Sequence, residues 1–232
     1  MSIPYKSALI IGAGSGISAS LARALHSAGI NVALAARDTE KLKPLAEATN
    51  ALAVPVDASD PASVLALFTE VDREMGEPDI VVYNASARVR GSVVELDPAA
   101  VQAAFATTAF GGFLAGQQAA KRMLPKRNGA ILFTGATASI KGFPNSGAFA
   151  MGKFALRGLA QSMARELGPQ GIHVAHFIID GAVRSEGRPE SAEHPDSTLD
   201  PQAIAETYLS VLRQPRNAWS QEIELRPWVE KF

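Results

Sequence analysis

The chain has 232 residues, 47% of them hydrophobic, enough for one domain with a complete core spanning 1–232. Twenty-two basic residues oppose 23 acidic ones for a net charge of -1, and no basic run offers nucleic acid a surface to grip. The absence of cysteine excludes disulfides, thiolate catalysis and cysteine-ligated zinc.

The N-terminal apolar run breaks at Gly12 after a few residues. It is too short for a membrane span and lacks the plan of a signal peptide, so the expected location is cytoplasmic. Ala8–Ile11 then reads as a buried strand, Ile17–Ala28 as a helix, Asn31–Ala36 as a strand and Thr39–Thr49 as a helix. Strand Ala51–Val56, helix Pro61–Met75 and strand Asp79–Tyr83 follow, with Pro at the first helical position. Pro98–Met123 reads as one long helix, then come strand Ala130–Thr134, helix Ser146–Leu167 with Ser146 as N-cap, and strand Ile172–Ile179. The polar stretch 184–201 is a probable substrate-side loop, followed by helix Pro201–Leu212 and a short strand Glu222–Leu225. Strands apolar throughout belong in a sheet covered on both faces, and strand–helix alternation implies parallel pairing. The expected fold is a Rossmann-type doubly wound α/β sheet of about seven strands, with ligand at the strands' carboxyl ends.

The first strand runs into Gly12-Ala13-Gly14-Ser15-Gly16-Ile17-Ser18. Glycines let the chain turn sharply and let backbone N–H groups approach a pyrophosphate, which the start of the next helix also attracts. The end of the second strand decides which dinucleotide fits. An NAD site usually has an acidic residue there; this chain has Ala36 followed by Arg37. A guanidinium pairs with a 2′-phosphate through two hydrogen bonds, which favours NADP(H) over NAD(H), although Asp38 is placed to reach a ribose.

The glycine turn, Arg37, Asp57-Ala58, Asn84-Ala85-Ser86, Gly129-Ala-Ile-Leu-Phe-Thr-Gly135 and Lys153 together resemble the short-chain dehydrogenase/reductase family over essentially the whole chain. The resemblance implies that Asp57 touches the adenine, that Asn84-Ala85-Ser86 lines the cofactor, and that the residues after Asp180-Gly181, Val183 included, reach the nicotinamide. It also implies a homodimer or homotetramer built through the two long helices, which are alanine-rich here.

The departures bear on the chemistry. The family's Tyr-x-x-x-Lys falls on Phe149-Ala-Met-Gly-Lys153, its serine on Ala136 and its helix asparagine on Thr108. Residues four apart share one helical face, so Phe149 and Lys153 should point into one cleft. Phenylalanine has no proton to give, which leaves Lys153 alone of the four catalytic positions. Thr137 is the nearest replacement hydroxyl, with Ser139, Asn145 and Ser146 in the same stretch. His173 and His176 fall on a strand, and His176 or His194 could approach the cleft; Trp219 and Trp228 are expected to pack the last strand or a subunit contact. Three readings follow: an NADP(H)-dependent oxidoreductase on a small carbonyl or alcohol with an altered acid, an NADP(H)-binding pseudoenzyme acting as sensor or scaffold, or a lyase- or isomerase-like enzyme. No metal is expected.

Overall fold

The computed structural model describes residues 2–230. Seven parallel strands form its sheet: β1 (Ser7–Ile11), β2 (Asn31–Ala36), β3 (Leu52–Pro55), β4 (Ile80–Tyr83), β5 (Gly129–Thr134), β6 (Ile172–Ile179) and β7 (Glu222–Leu225). Their order is β3-β2-β1-β4-β5-β6-β7. The chain therefore builds outward from β1 in one direction, then returns and builds outward from β4 in the other. The boundary between β1 and β4, paired from Ala8↔Ile80 to Ile11↔Tyr83, is where such a sheet opens a crevice at its carboxyl edge. Every residue of β1, β4, β5 and β6 is buried, because helices cover both faces. On one side lie α1 (Ile17–Ser27), α2 (Lys43–Thr49) and α7 (Pro201–Leu212); on the other lie α3 (Pro61–Met75), α5 (Gly111–Met123) and α6 (Gly147–Leu167).

The predicted helix Pro98–Met123 is not uniform. It begins as α4 (Pro98–Phe105), whose N-cap Asp97 accepts hydrogen bonds from the backbone N–H groups of Ala99 and Ala100. It widens into a π-helical turn at Ala106–Phe110 before resuming as α5. Sequence periodicity does not mark this turn. Its cause is tertiary: the Tyr83 hydroxyl donates to the Thr107 carbonyl, and a Cβ at Gly111 would lie 2.2 Å from that hydroxyl and 2.4 Å from the Ala58 carbonyl oxygen. By length and composition this 26-residue run would cross a bilayer, yet α5 packs on α3, α6, β4 and β5.

Smaller corrections have local reasons. The expected helix Thr39–Thr49 starts with a tight 3₁₀ turn at Glu40–Leu42, and α2 carries Pro44 in its first turn, where a missing N–H costs nothing. Ser146 stands at the start of α6, but its side chain makes no capping bond. Trp219 stacks on His173 with ring centroids 4.6 Å apart, whereas Trp228 is exposed and donates from Nε1 to Asp196 Oδ2 at 3.3 Å. Trp228 thus touches the 184–201 loop rather than the last strand. That loop is tied down by a bridge between Val183 and Leu199 and by Arg184, which pairs with both Glu190 and Asp200.

The glycine turn is held from three sides. Gly12 and Ala13 donate backbone N–H bonds to Ala35 at 2.8 and 3.0 Å, and Asn84 donates its backbone N–H to Ile11 at 2.8 Å. Gly12 has a φ of +84°, and a Cβ there would sit 2.3 Å from the Ala85 nitrogen. No such neighbour lies within 4 Å of a Cβ at Gly14. Gly12→Ala is therefore expected to lower unfolding stability by about 2–4 kcal/mol, from overpacking and left-handed strain, and Gly14→Ala by less than about 0.5 kcal/mol. Urea titrations of the two variants check this contrast; equal losses would contradict it.

Candidate functional site

The carboxyl ends of the strands enclose two connected hollows that share Asn84 and Ser86. The smaller, about 220 Å³, is bounded by Gly12, Ala36, Arg37, Asp57, Ala58 and Ala85. The larger, about 530 Å³, runs from Ile17 past Thr134 to Lys153, Gly181 and Val183. The trench thus begins at the end of β2, crosses the β1–β4 boundary and ends over α6.

Its middle is built to receive an anion. Gly14 and Gly16 face open space, and Gly16 leads into α1 without any side chain capping the helix's free N–H groups. Ser15 is exposed beside them. Ser18 is buried; its hydroxyl donates to Gly12 at 3.2 Å and accepts from Asn84 Nδ2 at 2.8 Å. The Asn84 amide also donates to the Gly12 carbonyl at 3.3 Å. A serine here locks the turn to β4 without filling the space over it.

At the end of β2, Arg37 is exposed and Asp57 faces it across the smaller hollow. Asp57 Oδ1 accepts from the Ser59 hydroxyl at 2.6 Å and backbone at 2.9 Å, bonds that hold the carboxyl below its ordinary pKa; the Arg37 charge adds to this. Asp38 turns to its own helix start, pairing with Lys41 at 3.1 Å.

The other end of the trench holds Lys153, Phe149, Ala136 and Thr137. Lys153 is 3% exposed, and its Nζ donates to the Thr134 carbonyl at 2.7 Å. Burial, with a smaller contribution from Arg88, pulls its pKa down to about 7. The Phe149 ring lies on the same face, as the spacing requires, with Lys153 Nζ 5.8 Å from its centroid. On it rests Arg88, its guanidinium carbon 4.4 Å from the centroid, a residue that the motif comparison passes over. Ala136 lines the cleft but offers only backbone, and its N–H donates to Ser139 Oγ at 3.1 Å. Ser139 is fully buried in that bond and does not serve the cleft. Thr137 lines the cleft, and its hydroxyl has no hydrogen-bond partner among the described residues.

Thr108 takes a structural part. It sits inside the π-helical turn, and its Oγ1 accepts the Ala87 backbone N–H at 3.1 Å, which steadies the segment bearing Ser86 and Arg88. A Cβ at Gly152 would lie 2.9 Å from Thr108 Cβ, so α6 needs glycine at this crossing. His176 is fully buried beneath the site with Nδ1 3.6 Å from Glu222; burial lowers its pKa to about 4. His194 lies exposed in the 184–201 loop. Neither histidine lines the cleft. Gly181 has a φ of +151° and a Cβ there would meet Pro227 at 2.8 Å, while Asp180 pairs with Arg226 at 3.1 Å; together these fix the turn that presents Val183. Among the described residues there is no cluster of His, Asp and Glu that would hold a metal.

The trench has the parts a dinucleotide requires: an open glycine turn at an uncapped helix start, and a hollow on either side of it. Comparison with known proteins agrees. A family model for short chain dehydrogenase matches residues 6–195. An uncharacterized oxidoreductase of Staphylococcus aureus is 30% identical over 234 residues, covering 96% of this chain and 97% of the relative. A crystal structure of a short-chain dehydrogenase from Rhodopseudomonas palustris superposes with a TM-score of 0.82 at 35% identity, covering 96% of this chain and 99% of that one. A metagenomic short-chain oxidoreductase in complex with NADP superposes with a TM-score of 0.85 at 25% identity, covering 99% and 100% of the two chains. The chain belongs to the short-chain dehydrogenase family, an oxidoreductase family whose fold binds nicotinamide cofactors.

Proposed function

We propose that the protein is an NADP(H)-dependent oxidoreductase acting on a small carbonyl or alcohol, with Lys153 rather than a tyrosine as the ionisable group of its active site. The observation that carries this reading is a lysine buried at the cleft floor and pinned to the Thr134 carbonyl, a burial that pulls its pKa down to about 7. A group titrating there holds and releases a proton at working pH, as a general acid must. The bound cofactor supplies the hydride. Gly14, Ser15, Gly16 and Ile17 would hold its pyrophosphate, Asp57 and Ala58 its adenine, and Asn84, Ala85, Ser86, Gly181 and Val183 its remaining length. Thr137 orients the substrate oxygen through its free hydroxyl. Reduction places a hydride on the carbonyl carbon and a proton on its oxygen, and Lys153 in its charged form supplies that proton.

The alternative, a protein that binds NADP(H) and reports it without turnover, draws on one observation: Phe149 and Ala136 bring no proton donor to the cleft. NADPH oxidation across a panel of small aldehydes and ketones separates the two. Lys153→Met should lower turnover by about 10²-fold or more. In the wild type kcat/KM should fall as pH rises above about 7, as Lys153 loses its proton. The same lysine has a stability signature. Its folded pKa is depressed, so the fold bears a buried charge below about pH 7, and that cost fades as pH climbs toward the free-lysine value. The stability of Lys153→Met relative to wild type should therefore be greatest below pH 7 and decline above it. No turnover by wild type on any substrate, with tight NADPH binding, would select the sensor.

Arg37, exposed at the end of β2, supports NADP(H) over NAD(H). Wild type should bind NADPH at least about tenfold more tightly than NADH, as a charge-assisted bidentate pair implies, and Arg37→Ala should erase the difference. Equal affinities in the wild type would overturn this choice.

We also propose a homodimer or homotetramer. Phe105, Phe110 and Phe113 along α4, the π-helical turn and α5, with Met151 and Phe154 on α6, leave large apolar side chains exposed on adjoining elements. Sedimentation should show an oligomer that Phe113→Asp with Phe154→Asp converts to monomer. A cysteine-free chain fits the cytoplasm, where we place it.

A further inference from the structure

Three arginines line the larger hollow: Arg88, Arg90 and Arg188. Lys153 is the fourth cationic side chain there, and no Asp or Glu lines the same space. None of the three arginines forms a salt bridge with a carboxylate among the described residues. The loop carrying Arg188 has carboxylates, but Arg184 takes up Glu190 and Asp200, and Asp196 accepts the Trp228 indole N–H. Glu186 and Glu193 lie outside the hollow. The Arg88 guanidinium is held in place by the Phe149 ring, and desolvation there together with the Arg90 and Arg188 charges pulls it below the ordinary arginine pKa. Like charges gathered without counter-charges repel one another, so the arrangement costs stability that a bound anion would return.

The cofactor's phosphates do not account for this group. The site for a 2′-phosphate lies at Arg37 in the smaller hollow, and the pyrophosphate cradle touches the larger hollow only at Ile17, whereas Arg88 stacks on Phe149. The arginines surround the end of the trench where the substrate must sit, against the residues at the family's catalytic positions.

We infer that Arg88, Arg90 and Arg188 form an anion-binding subsite, and that the substrate is a small carbonyl or hydroxy compound with a carboxylate or phosphate a few bonds from its reacting carbon. The inference rests on the oxidoreductase reading for the word substrate, but the anion site itself does not. Arg88, stacked on Phe149, meets the anionic group nearest the reacting centre, while Arg90 and Arg188 close on it from the strand-end segment and the 184–201 loop; all three are exposed and open to a ligand from solution. The anionic group is held and not transformed.

The test is calorimetric titration of the full chain, alone and with NADPH, using oxamate, its neutral counterpart oxamide, and inorganic phosphate. Oxamate or phosphate should bind at least about tenfold more tightly than oxamide, the scale of one charge-assisted hydrogen bond. Arg188→Gln and Arg90→Gln, both exposed and tolerable to the fold, should each bring that ratio toward one and leave oxamide unchanged. A preference for phosphate over oxamate assigns a phosphorylated substrate, and the reverse assigns an oxo or hydroxy acid. NADPH binding with oxamate, phosphate and oxamide indistinguishable overturns the subsite and leaves the cofactor reading standing. Anion binding that survives both arginine replacements likewise overturns it. Arginine-dependent anion binding without NADPH binding supports the subsite and overturns the oxidoreductase reading instead.

Discussion

The site depends on the absence of one carbon atom. Without a side chain at Gly12, the end of β1 passes within contact of Ala85 at the end of β4, at a φ that side chains avoid. The contact fixes the end of the trench nearest β2. Asn84 is brought close enough to bond both the Gly12 carbonyl and the Ser18 hydroxyl, and Ala35 of β2 accepts the next two backbone N–H groups. Three strand ends and one helix start are fastened to one turn, and Gly14 and Gly16 remain above it with room for a ligand. The first glycine serves packing and the later two serve access, a division that the spacing of the glycines does not reveal.

A second junction lies at the other end of the trench. It is built on Phe149, an aromatic ring without a hydroxyl. The ring still packs, and its faces attract cations: Arg88 at 4.4 Å and Lys153 at 5.8 Å from the centroid. Lys153 keeps its backbone acceptor, Thr134, but is buried near a second positive charge. Burial and like charge both favour the neutral amine and bring Lys153 into the titration range of an acid at neutral pH. The π-helical turn belongs to this junction as well. It presents Thr108 to Ala87, and so sets the path of the segment on which Arg88 and Arg90 stand.

The extent of foresight differs between the two ends. The strands, the sheet's direction and the glycine turn were legible because burial on both faces writes a continuous apolar run into every strand, and sharp turns write glycine. Phe149 and Lys153 were legible as neighbours because helical spacing is local. The arginine group was not, although Arg88 and Arg90 stand two apart in the irregular segment after β4. That signal was present but ambiguous, since two basic residues on a segment of unknown exposure are usually solvated. Nor was it evident that Ser139 is consumed by the Ala136 N–H while Thr137 is left free, because the two hydroxyls are equivalent until the 3₁₀ turn forms.

By itself, then, the sequence determined the element order, the parallel sheet and the glycine turn after the first strand, since each is set by periodicity or by residue identity at short range. Only the tertiary structure decided which groups share the cleft. Arg188 comes from a loop a hundred residues beyond Arg88, and the two meet because β4 and β6 end on the same edge of one sheet. It also decided the state of Lys153, whose charge depends on water that the surrounding helix and strands exclude. Solvent exclusion and long-range juxtaposition arise from packing, and no local pattern in the chain encodes them.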